Sequence, residues 1–130
     1  MGNKGYLLDT DVVIAHLRGY PQTVALLKAL TDRARNLSIS AATIVELEVG
    51  IRSKEKQKTY EFLEVLEIHF LDRPIAHLAG SFLREYRGKG ISLGLADVII
   101  GATAIAKELI LVTYNTRHYP MPGIQMISHL

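Results

Sequence analysis

The sequence has 130 residues, 48% of them hydrophobic, which is one ordinary domain with enough apolar material for one core. It contains no cysteine, which excludes disulfides and thiolate metal sites and fits a reducing compartment. The net charge of +2 leaves any nucleic-acid partner to local basic patches, and no stretch reaches the ~18 unbroken apolar residues that would cross a membrane.

Tyr6-Leu7-Leu8 reads as a short buried strand. It is too short for a secretory signal and ends in Asp9, so a cytoplasmic protein is expected. Val12 to Leu17 continues as a helix, which Gly19-Tyr20-Pro21 stops. Thr23 to Ala34 is a second helix, with Val24, Leu27, Leu30 and Ala34 as its apolar positions. Leu37 to Ser40 is a second strand. Thr43 to Ile51 and Lys56 to Leu66 are helices joined by the basic stretch Arg52-Ser53-Lys54. Ile75 to Tyr86 is helical and ends at Gly88-Lys89-Gly90. Ala96 to Lys107 is apolar nearly all round, as a buried helix is. Leu109 to Val112 is a continuous apolar run with β-branched members, hence a central strand, and Ile124 to Ile127 is a candidate last strand. Strands alternating with helices predict one α/β domain over residues 1–130, with a mostly parallel central sheet flanked by helices.

Such sheets take ligands outside the carboxyl ends of their strands. Each of the three clearest strands ends in polar residues: Asp9-Thr10-Asp11 after the first, Ser40 with Thr43 and Glu46 after the second, Thr113 and Asn115 after the third. Asp97 opens the buried helix. On a parallel sheet these face one edge, and Asp9, Glu46 and Asp97 form a cluster of three carboxylates. Packed carboxylates repel, and burial worsens the repulsion. A hard divalent cation offsets it, and such a site can activate water against a phosphodiester. Each residue also has a purely structural use. Asp9, Thr10 or Asp11 could cap the helix that follows. Thr43-Ile44-Val45-Glu46 has capping-box spacing, Ser40 could cap the same helix, Asp97 could cap the apolar helix, and Asn115 suits a turn. Placement on one edge weighs against all of these being caps by chance.

The remaining features carry less. His16, His69, His77, His118 and His129 show no zinc spacing. There is no Gly-x-Ser-x-Gly elbow and no Walker loop. Arg52, Lys54, Lys56 and Lys58, like Arg84, Arg87 and Lys89, read as solvated helix faces before they read as RNA patches. Phe62, Leu63 and Leu66 read as core.

Four segments, in order, resemble the PIN-domain ribonucleases, in particular the VapC-type toxins of VapBC toxin–antitoxin pairs. Leu7-Leu8-Asp9-Thr10-Asp11 looks like their opening strand and first acid. Ser40 with Thr43-Ile44-Val45-Glu46-Leu47-Glu48-Val49-Gly50 resembles their Thr-x-x-Glu-Leu-x-x-Gly segment. Asp97-Val98-Ile99-Ile100-Gly101-Ala102-Thr103-Ala104 resembles their Asp-x-x-Ile-Ala-Ala-Thr-Ala helix. Thr113-Tyr114-Asn115-Thr116-Arg117-His118-Tyr119 looks like their Thr-x-Asn-x-x-Asp/His-Phe element. The resemblance spans nearly the whole chain. It implies a five-stranded parallel sheet, Mg²⁺- or Mn²⁺-dependent cleavage of RNA, homodimerisation and inhibition by a cognate VapB-type antitoxin. It also implies that Asp9, Glu46 and Asp97 are the catalytic acids, with Asp9 and Asp97 on the metal. Thr113 and Asn115 support the site by hydrogen bonds, and Thr10, Ser40 and Thr43 join that supporting set. His118 stands where many relatives carry a fourth acid. Asp11 is a candidate replacement oxygen, and His118 either approaches phosphate or is a surface turn histidine.

Two rival functions start from the same residues. Asp9-Thr10-Asp11 after a strand also suits an aspartate-nucleophile phosphatase, although Val12-Val13 replaces the usual Gly-Thr and a late paired-Asp motif is missing. A catalytically silent PIN fold kept for binding is the other.

Overall fold

The computed structural model describes residues 4–33 and 36–130. Tyr6–Leu8 (β1) is buried at every position and lies in the middle of a five-stranded, all-parallel sheet. Leu37–Ser40 (β2) and Glu67–His69 (β3) extend the sheet on one side, Ile110–Val112 (β4) and Gln125–Ile127 (β5) on the other. β1 pairs with β2 through Tyr6 and Leu37, and with β4 through Leu8 and Val112. The strand order β3-β2-β1-β4-β5 reverses direction between β1 and β4. A crevice opens at such a reversal, at the carboxyl ends of the two strands.

Because side chains alternate across a strand, β1 feeds two cores. Leu7 joins Leu111 under Arg73–Gly88 (α5) and Leu95–Ala106 (α6). Tyr6 and Leu8 join Ile39 and Val112 beneath Thr10–Leu17 (α1) and Pro21–Asp32 (α2). Ala41–Gly50 (α3) and Lys56–Glu64 (α4) complete that second layer, with Phe62, Leu63 and Leu66 packed into it. α6 is buried from Ile100 to Ala104, as an all-apolar helix must be.

Several boundaries differ from expectation. α1 starts at Thr10 because Asp9 caps it. α2 starts at Pro21, whose fixed φ suits the first helical turn, so the residue that stops one helix opens the next. The expected end of that helix at Ala34 lies outside the described residues. α5 starts at Arg73, because Asp72 accepts a 3.0 Å hydrogen bond from the Ile75 amide. β3 was not among the strands read from the residues themselves.

Candidate functional site at the carboxyl edge of the sheet

Asp9 leaves β1 directly into the crevice and is 5% exposed. Its Oδ1 accepts from the Thr10 amide at 2.8 Å, and its Oδ2 accepts from the Thr113 hydroxyl at 2.7 Å. The cap and the site residue are therefore one residue: the helix start fixes one carboxylate oxygen and the neighbouring strand fixes the other. Thr113 is fully buried, and its hydroxyl also accepts from the Asn115 amide at 2.9 Å.

Glu46 corrects one expectation. It does not close a capping box on Thr43. Ser40 caps α3, accepting from the Ala42 amide at 3.0 Å. Glu46 instead accepts a 2.6 Å hydrogen bond from the Thr10 hydroxyl, which also stands 3.0 Å from the Thr43 hydroxyl. Thr10 is the donor in both contacts, the shorter and charge-assisted one being to Glu46. This chain ties α3 to the start of α1.

Asp97 is not a cap either. It lies in the first turn of α6, whose cap position is Gly94. A Cβ at Gly94 would stand 3.2 Å from Asp97 Oδ2, so the glycine makes room for the carboxylate. His118 Nδ1 approaches the same oxygen at 3.5 Å, across from a turn at Thr116–His118, with the imidazole half-exposed. His118 thus sits in a half-exposed turn, facing an acid.

Asp11 Oδ2 accepts from the Tyr114 amide at 3.0 Å and from Asn115 Nδ2 at 2.9 Å, while its Oδ1 is buried without a partner. Asn115 thus holds Asp11 rather than Asp9.

The acids raise one another's cost. Burial pushes the Asp97 carboxyl above the usual range, and the charges of Asp9 and Glu46 push it further, against the opposing pull of His118. Burial, and then the charge of Asp9, brings the Asp11 carboxyl up to about 6. Among the described residues no three Asp, Glu or His side chains converge into a ready-made metal cage.

Tyr119 belongs to this site and was not singled out from the sequence. It is 2% exposed, and its hydroxyl is buried without a well-aligned hydrogen bond. Burial and the charges of Asp9 and Asp97 hold its phenol well above the usual range, so it stays protonated. The only signal in the sequence is its position at the end of the last motif, where the resembling pattern carries phenylalanine.

A groove leads away from Glu46 between α1 and the α3–α4 region. Ile14, Leu17 and Leu47 give it an apolar floor, and Arg18, Lys54 and Lys58 line it with positive charge.

Comparison with known proteins agrees with this architecture. The PIN domain profile matches residues 6–123. The ribonuclease VapC10 of Mycobacterium tuberculosis is 37% identical over 117 residues, covering 88% of this chain and 86% of its own length. The ribonuclease VapC19 of the same species is 32% identical over 120 residues, covering 92% and 96%. The crystal structure of VapBC2 from Rickettsia felis, bound to a DNA fragment from its promoter, contains a chain that superposes with a TM-score of 0.82. That chain is 26% identical, over 94% of this chain and 96% of that one. The family match runs from β1 to the turn before β5, and the two ribonucleases align over most of the chain: the chain belongs to the PIN-domain family, among the VapC ribonucleases.

Proposed function

We propose that this chain is a divalent-cation-dependent endoribonuclease, and the toxin of a toxin–antitoxin pair. The observation that carries this reading is the pair Asp9 and Asp97. They sit at the carboxyl edge of the sheet, one locked by hydrogen bonds from both flanks, the other raised in pKa by burial first and then by its acidic neighbours.

The residues fit Mg²⁺ or Mn²⁺. Buried carboxylates that repel one another, with Asp11 Oδ1 left without a donor, are what a hard cation relieves. Mg²⁺ keeps much of its own water and takes one or two carboxylates, so it needs no three-ligand cage, and none is present among the described residues. Asp9 and Asp97 would hold it. When bound, the cation polarises the scissile phosphate and makes water a competent nucleophile at neutral pH. Thr113 fixes Asp9 in orientation. Glu46, held by Thr10, orients the attacking water. Arg18, Lys54 and Lys58 draw the RNA backbone along the groove. By likeness to the VapBC complex, the partner is a VapB-type antitoxin, and the family resemblance implies a homodimer.

The phosphatase alternative fits less well. Val12-Val13 follows Asp9-Thr10-Asp11 where that class carries Gly-Thr, and its late paired-Asp motif is missing from the sequence.

The test is cleavage of total RNA by antitoxin-free protein with Mg²⁺ or Mn²⁺, against EDTA and an Asp9→Asn/Asp97→Asn variant. Discrete fragments lost in both controls are expected. Cleavage that survives the double variant would remove these acids from the mechanism. A trapped aspartyl-phosphate would favour the phosphatase. Folded protein that neither cleaves nor binds a cation would leave a binding module.

A further inference from the structure

Asp97 and Tyr119 form an unfinished pair. Asp9 has two hydrogen-bond donors and Glu46 has one, but no well-aligned hydrogen bond from a described residue reaches the Asp97 carboxylate; the His118 imidazole stands 3.5 Å from it. Tyr119 is the reverse case, a buried hydroxyl with no well-aligned acceptor, within reach of both Asp9, whose two oxygens already hold donors, and Asp97. The two groups are close enough to influence each other.

The position of the hydroxyl is built, not incidental. Gly101 lies one helical turn beyond Asp97 on α6, and a Cβ there would stand 3.4 Å from Tyr119 Cδ1 and 2.8 Å from Met121 Cε. The bare helix surface lets the ring seat against α6 on the side that carries Asp97. The backbone of the same segment is pinned from the far side, where the Tyr86 hydroxyl donates to the Pro120 carbonyl at 3.1 Å. A phenylalanine would fill the same apolar space. The hydroxyl adds nothing to packing, and a buried polar group without a partner costs stability. A partner that arrives with a ligand accounts for that cost.

We propose that Tyr119 is a positioning residue for Asp97: its hydroxyl donates to the Asp97 carboxylate when a divalent cation draws that side chain into place. This rests on the cation-dependent reading above. Carboxylates that ligate metals are oriented by such outer donors, and losing one weakens metal binding about 10–100-fold. Tyr119 would then do for Asp97 what Thr113 does for Asp9.

The experiment is Mn²⁺ titration by calorimetry, with thermal unfolding in EDTA and in saturating Mn²⁺. It compares wild type, Tyr119→Phe, Asp97→Asn and the double variant. Tyr119→Phe is expected to match or exceed the wild-type Tm in EDTA, because it deletes an orphaned hydroxyl, and to bind Mn²⁺ about tenfold more weakly. In the Asp97→Asn background it should add no further loss, since the interaction it removes is already gone. Unchanged Mn²⁺ affinity in Tyr119→Phe would overturn the proposal and leave the nuclease intact. An equal Tm loss with and without Mn²⁺ would overturn it in favour of a packing role. A wild type that binds no Mn²⁺ would overturn the cation site itself, and this proposal with it.

Discussion

The Thr113 hydroxyl donates a 2.7 Å hydrogen bond to Asp9 Oδ2 across 104 residues of sequence, and so joins the ends of the two central strands at the point where strand order reverses. Both residues are buried, so neither finds water as a substitute. Thr113→Val keeps the shape and removes the donor. It should cost about 1.5–3 kcal/mol of stability, the range for losing a hydrogen bond to a charged group. Saturating Mn²⁺ should recover part of the loss by neutralising the exposed charge. Thr113→Ser, which restores the hydroxyl, should return stability to near wild type in chemical denaturation. A valine variant as stable as wild type would show that Asp9 needs no anchor.

Asp11 gives a pH dependence of definite sign. Its folded-state pKa is raised from 3.8 to about 6, by burial first and by Asp9 second. Between those values the folded protein binds a proton that the unfolded chain does not, so this group favours folding more as pH falls from about 6 towards 4. Above pH 6 its charge opposes folding in full. Asp11→Asn should therefore raise Tm relative to wild type at pH 8 and lose most of that advantage by pH 5, where wild type is already largely protonated at this position. Thermal unfolding at the two pH values in EDTA checks it. An advantage that grows on acidification would contradict the assigned cause.

The sequence made some of this legible and hid the rest for physical reasons. The acids after β1 and at the head of α6 could be read because short apolar runs end abruptly in polar residues, and a parallel sheet sends those ends to one edge. β3 could not, because Glu67-Ile68-His69 holds one apolar residue and an edge strand this short shows no alternation. Glu46 was ambiguous because capping-box spacing describes a local bond, while its actual donor, Thr10, lies 36 residues away. Tyr119 was obscured because its significance comes from a missing Cβ at Gly101 and a carboxylate on another helix, neither of which its own neighbours in sequence reveal.

Lys54 and Lys58 are exposed and face the groove beside Glu46. If they track an RNA backbone, replacing both with Gln should weaken RNA binding uniformly across sequences. It should also lessen the salt dependence, each lost phosphate contact lowering the log–log slope by about 0.7 on single strands. Fluorescence anisotropy across a salt series, with catalytically dead Asp97→Asn protein as background, measures the slope directly. An unchanged slope would return both lysines to the status of a solvated helix face.

Gly101→Ala tests the packing beneath the acid site. Alanine gains about 1 kcal/mol of helix propensity over glycine. Against that, its Cβ would meet Met121 Cε at 2.8 Å, Ile124 Cδ1 at 3.1 Å and Tyr119 Cδ1 at 3.4 Å. The methionine tip can swing aside, and the two remaining neighbours must give by a few tenths of an ångström. Overpacking a filled core costs about 1–3 kcal/mol, so the two effects nearly cancel and Tm should fall only slightly. The ring of Tyr119 is pushed off α6, however, and with it the hydroxyl that faces Asp97. Mn²⁺ affinity should drop several-fold while stability barely moves, and adding Tyr119→Phe to Gly101→Ala should cost little more. Calorimetry and thermal unfolding on the same samples separate the two readouts. A large Tm loss with unchanged Mn²⁺ affinity would show that Gly101 serves the core alone.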